Sequence, residues 1–146
     1  MKKLFFLLAV VLVNYSAFAQ NTTKLLDQYL AVKNALVASD GKAASQAIAA
    51  LQQGLSVAGD FGGKDALVKA TGTLAKAGNI DKQRAGFNEL SVALWKVVKA
   101  DDKVEGNVYY QYCPMKKAYW LSKEKDIKNP YYGASMLTCG KVAETR

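Results

Sequence analysis

The chain has 146 residues, a formal net charge of +8 and a hydrophobic fraction of 51%, which suits one globular domain and excludes a disordered or fibrous protein. It contains no histidine, so the commonest general base and the commonest metal ligand are both absent from the sequence. Its basic residues are spread along the whole chain, as on solvated helix faces, and we therefore expect no binding to nucleic acid.

The first 19 residues have the three-part layout of a secretory signal peptide. Two lysines follow Met1, residues 4–13 form an unbroken apolar run, and residues 17–19 (Ala-Phe-Ala) form a small-x-small cleavage site. The apolar run is too short for a membrane span, which needs about 20 residues. We expect residues 1–19 to be cleaved and residues 20–146 to form one periplasmic or secreted domain with no membrane span.

Four amphipathic helices are predicted between Gln20 and Ala100. In each, apolar residues recur at helical spacing, a pattern that buries one face of a helix. Asp40 and Asp81 are the expected N-caps of the second and fourth helices. The short breaks between the helices imply antiparallel neighbours, which predicts an all-α fold built on an up-down four-helix bundle. The predicted breaks are residues 39–41, 59–63 and 78–79.

After Gly106 the sequence becomes aromatic and irregular. Residues 107–112 are rich in β-branched and aromatic side chains, which favours a short extended segment. Cys113-Pro114 predicts a turn, because the residue before a proline avoids the helical region. Beyond it we expect a helical turn over Ser122–Ile127, a loop over residues 129–133, a short helix over Ala134–Cys139 and a frayed tail over Lys141–Arg146.

All four sulfur atoms of residues 20–146 lie in the segment 108–140, at Cys113, Met115, Met136 and Cys139. The last two are spaced i, i+3, so on a helical turn they would face the same side. Thiolates and thioethers are soft ligands and select soft metals, Cu(I) above all. The sequence therefore predicts a Cu(I) site if the two ends of this segment meet.

A structural disulfide between Cys113 and Cys139 is the alternative interpretation. Exported proteins with two cysteines commonly pair them, and the two methionines would then be packing around the bridge. The metal interpretation is favoured by the distribution of methionine, because none lies in the four predicted helices. A metal site would need both thiols reduced, and their oxidation to a disulfide would expel the metal.

Three short motifs in this segment resemble the domain-of-unknown-function family 3347. They are Cys113-Pro114-Met115, Trp120-Leu121-Ser122 and residues 127–140 (IKNPYYGASMLTCG). The resemblance is close over about thirty residues, whereas the helical part carries no distinctive motif of the family. That family is typical of exported proteins of the Bacteroidota, and its members also occur appended to adaptor subunits of heavy-metal efflux pumps.

The resemblance implies that the four sulfur residues are the metal ligands. Many members have histidine before the first cysteine, where this chain has Tyr112, so a nitrogen ligand of some relatives is missing here. The other motif residues are expected to support the site by setting turns, covering the sulfur atoms or allowing close backbone approach. These supporting residues are Tyr112, Trp120, Asn129, Pro130, Tyr131, Gly133 and Gly140.

Two functions follow from the sequence. The first is a periplasmic module that binds or handles a soft metal, with an efflux adaptor or another periplasmic protein as partner. The alternative is a non-catalytic helical interaction domain stabilised by a Cys113–Cys139 disulfide. An enzyme is not expected, because the chain lacks histidine, a paired-carboxylate motif, a cofactor fingerprint and the Cys-x-x-Cys spacing of thiol oxidoreductases.

Overall fold

The computed structural model describes residues 22–146, so the predicted signal peptide lies outside the described residues. The helices are α1 over residues 22–37, α2 over Gly41–Val57, α3 over Lys64–Ala75 and α4 over Ile80–Ala100. The strands are β1 over Tyr109–Cys113, β2 over Ala118–Ser122 and β3 over Lys141–Thr145, with a 3-10 turn over Gly133–Met136. No helix of this part of the chain has the length and apolar character needed to cross a membrane.

The helices follow the predicted apolar stripes. Side-chain hydrogen bonds at their N-caps determine where α2 and α4 begin. The Asp40 side chain accepts a hydrogen bond from the N–H of Ala43 at 2.9 Å, as expected of an N-cap. At α4, Asn79 is the cap and accepts from the N–H of Lys82 at 3.0 Å. The predicted cap Asp81 instead lies in the first turn of α4, where its charge suits the helix dipole.

Consecutive helices run antiparallel across short connections. The Gln28 amide donates to the carbonyl of Ala50 at 3.1 Å, which places the first half of α1 beside the second half of α2. Gly86 near the start of α4 lies against Leu74 near the end of α3. These contacts give the predicted antiparallel helix arrangement, and the apolar stripes form one buried core.

The predicted all-α class was wrong, because a three-stranded antiparallel sheet of order β2-β1-β3 follows the helices. The segment Lys141–Arg146, predicted as a frayed tail, supplies β3 and pairs with β1. Ser122–Ile127, predicted as a helical turn, is the end of β2 followed by bends. The predicted short helix over Ala134–Cys139 is a 3-10 turn that begins at Gly133 and ends at Met136.

The sheet belongs to the same core as the helices. Trp120 and Leu121 of β2 are fully buried within the cluster that contains the helical leucines. The Tyr29 hydroxyl of α1 accepts a hydrogen bond from the Leu121 N–H at 3.0 Å and contacts the Ser91 hydroxyl at 2.7 Å. Polar side chains of α1 and α4 thus cover the outer edge of β2, which would otherwise be open to pairing with another chain.

The two arginines of the chain bind backbone carbonyls that lie far away in sequence. Arg84 of α4 donates to the carbonyl of Pro130 at 3.0 Å and to that of Leu36, in the last turn of α1, at 2.9 Å. Arg146, directly after β3, donates to the carbonyl of Val104 at 2.6 Å. A guanidinium suits this role because its fixed fork of donors can bind several acceptors at once. These clamps hold the C-terminal segment on the helices.

Lys33 of α1 is a buried cation, with 4% of its surface exposed. Burial lowers the pKa of Lys33 from its usual 10.5, Glu124 opposes this effect, and the like charge of Lys128 adds to it. No ion pair among residues 22–146 includes Lys33. The folded protein therefore holds a poorly compensated charge, which costs stability whenever Lys33 is protonated.

Replacing Lys33 with methionine is expected to raise the free energy of unfolding at pH 7 by about 1 kcal/mol. The lowered pKa means that the folded state binds this proton more weakly than the unfolded state does. The free-energy cost of burying the Lys33 charge is complete below the pKa of Lys33 in the folded state. This cost decreases as the pH rises toward 10.5. Chemical unfolding of both proteins at pH 7 and pH 10 should show a smaller difference at the higher pH. The exposed Lys24→Met, on the same helix, is the control and should give no such trend.

Candidate metal centre

The sheet brings the two cysteines together. Cys113 is the last residue of β1, and Lys141 at the start of β3 pairs with Tyr112. Cys139 therefore reaches the end of β1 directly before β3 begins. The two Sγ atoms lie 3.7 Å apart, and both cysteines are free thiols. The pairing of strands distant in sequence, rather than the helices alone, brings these side chains together.

The two thiols differ in exposure. Cys113 is completely buried, whereas Cys139 is half-buried. Burial raises the pKa of the Cys139 thiol, the contact with Cys113 raises it further, and a hydrogen bond from the backbone N–H of Met115 opposes both effects. A metal ion that binds Cys139 would displace the proton of its thiol.

The two methionines lie close to the cysteines in sequence, Met115 two residues after Cys113 and Met136 three residues before Cys139. Met115 lies in the turn between β1 and β2 and is 65% exposed. Met136 ends the 3-10 turn, is half-buried, and accepts a hydrogen bond from the Cys139 N–H at 3.1 Å through its carbonyl. Met115 thus lies on the surface of this turn, two residues after Cys113.

The donors at this site fit a soft metal. Within the described residues there is no group of three or more His, Cys, Asp or Glu side chains that could hold a metal. The sulfur groups of this segment are two thiols in contact and two thioethers beside them in sequence, and donors of this kind favour Cu(I) over hard cations. For comparison, two thiolates on one tetrahedral zinc ion, with zinc–sulfur bonds of about 2.3 Å, lie about 3.8 Å apart. The Cys113–Cys139 separation of 3.7 Å is close to that spacing.

Asn129 holds the Cys139 segment in place from a fully buried position. Its side-chain amide donates to the carbonyl of Cys139 at 2.6 Å, and its carbonyl oxygen accepts from the N–H of Tyr131 at 2.8 Å. Its backbone N–H also donates to the carbonyl of Leu137 at 2.8 Å. The next residue, Pro130, is buried, and its carbonyl is the acceptor for the Arg84 clamp. One asparagine thus links the loop to both sides of the 3-10 turn.

Trp120 and Tyr131 pack edge to face beside the thiols, with ring centroids 6.1 Å apart. The Tyr131 hydroxyl donates to the carbonyl of Tyr119, which fixes this ring against β2. Gly140 lies so close to Trp120 that an added Cβ would be 2.7 Å from its Cη2 atom. Gly133 has a φ of +56°, and a Cβ there would be 2.8 Å from Nη2 of Arg84. Both glycines therefore permit the close backbone approach predicted for them.

Tyr112 lies on the other face of the sheet from Cys113, because neighbouring side chains of a strand alternate. Its ring packs on Tyr119 at 4.6 Å, in a series that continues through Tyr110 to Trp95 of α4. A histidine side chain at position 112 would lie on this aromatic face of the sheet and not on the face of the thiols.

Sequence reasoning missed two residues that shape this region. Arg84 clamps the loop at Pro130, and the fully buried Gln111 donates to the carbonyls of Glu124 and Lys125 at 3.1 Å each. The scarcity of arginine was one available signal, since the chain has two arginines among 20 basic residues. A glutamine inside an otherwise aromatic strand was the other, because a buried amide needs partners.

One family model matches the chain over residues 25–106, and its description is "Protein of unknown function (DUF3347)". The match covers more than half of the sequence and includes all of α2, α3 and α4. The match therefore rests on the helices, and the three motifs on which the resemblance was based lie beyond its end at residue 106. No curated protein and no solved structure matches the chain.

Proposed function

The chain belongs to the DUF3347 family, and from the geometry of its two thiols we propose that it is a soft-metal binding module, with Cu(I) as the metal. The observation that carries the proposal is the 3.7 Å separation of two unbonded cysteine Sγ atoms. In this role the thiolates of Cys113 and Cys139 bind the ion, and Met115 and Met136 supply thioethers. The protein has no catalytic task in this proposal.

The proposed setting is outside the cytoplasm, where the protein handles copper for an efflux system or another periplasmic partner. It rests on the layout of the first 19 residues and on the association of similar proteins with heavy-metal efflux adaptors. The exposure of Met115 supports transfer, because a ligand on the surface can be exchanged with that of a partner. Its neighbours Lys116 and Lys117 are also exposed, which leaves this turn accessible.

A titration of the reduced protein with Cu(I) against a competing chelator tests the proposal. We expect a complex of one ion per chain. Cys139→Ala should weaken binding by roughly 100-fold or more, because loss of even an outer-shell partner of a metal site costs 10- to 100-fold. Met115→Ala and Met136→Ala should each weaken it by about tenfold or more.

Leu137→Ala is the matched control, since Leu137 is a partly exposed apolar neighbour without sulfur. Its affinity for Cu(I) should equal that of the parent protein. A reduced, folded protein that takes up no Cu(I), or a Cys139→Ala variant that binds as tightly as the parent, would refute the proposed function.

A structural disulfide is the second candidate, and the same short distance favours it. The Sγ atoms would have to approach from 3.7 Å to about 2.05 Å. The bridge would join residues 26 positions apart and stabilise the fold by roughly 3–4 kcal/mol in the chain-entropy model. Counting free thiols in protein isolated without reductant separates the two states, because the metal module requires two thiols and the bridged domain has none.

A further inference from the structure

The two thiols differ in exposure, so they differ in how easily a disulfide from solvent can react with them. Cys113 is completely enclosed, whereas Cys139 is partly open to solvent. A dissolved disulfide can therefore reach only one of them in the folded protein.

We propose that Cys139 is a site of reversible thiolation by low-molecular-weight disulfides, and that Cys113 is the resolving thiol that displaces the added group. Cys139 attacks one sulfur of the incoming disulfide, forms a mixed disulfide and releases the first small thiol. Cys113 then attacks the Cys139 sulfur, which breaks the mixed disulfide and releases the second small thiol. The two thiol protons of the protein leave on the two small thiols, and the protein is oxidised by two electrons while the disulfide is reduced.

The position of Cys113 supports the second step. Its Sγ atom is in contact with that of Cys139 at 3.7 Å, on the enclosed side of that sulfur. The group added from solvent would lie on the open side, so that the attacking and leaving sulfurs are on opposite sides of Cys139. A thiol held in contact reacts at a very high effective concentration, so the mixed disulfide should be short-lived.

The surroundings fix the Cys139 backbone while leaving its sulfur reachable. Asn129 binds the Cys139 carbonyl, and Gly140 is packed against the ring of Trp120. Cys139 nevertheless stays partly exposed. Oxidation therefore requires only a small approach of the two sulfurs, without rearrangement of the sheet. This reaction needs no metal, so its test is independent of the test of the proposed function.

The test is a time course of the metal-free protein with glutathione disulfide in the presence of a chelator, quenched with acid and followed by mass spectrometry. The parent protein should gain one glutathione at Cys139 for a short time and then lose it as two hydrogens are removed. Cys113→Ala should stop at the mixed disulfide. Cys139→Ala should react roughly 100-fold more slowly, because its remaining thiol is exposed only by local opening of the structure.

Cys113 is in the core, so a second measurement protects the test against a variant that fails to fold. Brief alkylation of the unaltered, reduced protein should label Cys139 first, and Cys113 only after denaturant is added. A mixed disulfide mapped to Cys113, or a folded Cys139→Ala protein that reacts as fast as Cys113→Ala, would overturn the proposal. Equal alkylation of both thiols in the native protein would do the same.

Discussion

Replacing Gly140 with alanine is expected to lower the free energy of unfolding by about 3–4 kcal/mol. The new Cβ would be 2.7 Å from Cη2 of Trp120 and 3.1 Å from the carbonyl oxygen of Tyr112. Trp120 is fully buried and held against Tyr131, so it cannot withdraw. Overpacking of this kind costs about 1–3 kcal/mol, and the backbone φ of +156° adds a conformational cost of similar size.

Two other glycines separate these effects in the same unfolding measurement. Gly106 has a φ of +75° but no atom within 4 Å of an added Cβ, so Gly106→Ala should cost about 1–2 kcal/mol through conformation alone. Gly72 lies inside α3 with equally open surroundings, and Gly72→Ala should stabilise the protein by about 0.5–1 kcal/mol. If Gly140→Ala lowered the free energy of unfolding no more than Gly106→Ala does, the close packing of Gly140 on Trp120 described above would be contradicted.

Replacing Asn129 with alanine is expected to cost about 2–4 kcal/mol of stability. The change leaves the carbonyl of Cys139 and the N–H of Tyr131 without the partners that bind them now. Each buried group left unpaired costs about 1–3 kcal/mol. The segment between Leu137 and Cys139 should also loosen. Alkylation of Cys139 should therefore speed up relative to the parent protein, in addition to the drop seen in chemical unfolding.

Asn129→Asp is the informative partner variant. It keeps an oxygen for the N–H of Tyr131 but places a carboxylate against the Cys139 carbonyl, so it should be at least as damaging near neutral pH. The exposed Asn107→Ala is the control and should change stability by less than about 0.5 kcal/mol. A stable Asn129→Ala protein with slow Cys139 alkylation would contradict this account of the loop.

The helices were predictable because their signal is local. Buried residues such as Ile48 and Leu55 of α2, or Leu90 and Leu94 of α4, recur at the spacing of one helix face. A cap needs only the residues directly around it, and the prediction at Asp40 was confirmed. The predicted cap of α4 was two positions off, because Asn79 and Asp81 are both competent caps.

The sheet was missed because its strands depend on partners elsewhere in the chain. β3 is mostly exposed and reads KVAET, which has too little apolar alternation to indicate a strand. Its extended form comes from pairing with β1, which begins about thirty residues earlier. β1 itself was predicted as extended, since its aromatic side chains favour that conformation.

In the candidate site, too, some features could be predicted from neighbouring residues, whereas others depend on residues that are distant in sequence. The spacing of the sulfur residues indicated a site in the segment 108–140. The chemistry of that site depends on how closely Cys113 approaches Cys139. The answer of 3.7 Å depends on β3, which the sequence pattern did not indicate. Asn129 was expected to set a turn, whereas its buried amide also ties that turn to Cys139. Ligation of a metal by these residues stays a prediction.

The arginine clamps have a consequence for how the protein tolerates acid. Both Arg84 and Arg146 bind peptide carbonyls, which do not titrate, and a guanidinium keeps its charge at every pH a folded protein meets. The three exposed ion pairs of the described residues, by contrast, each depend on an ionised carboxylate. The two arginine clamps themselves are built from groups that acid leaves unchanged.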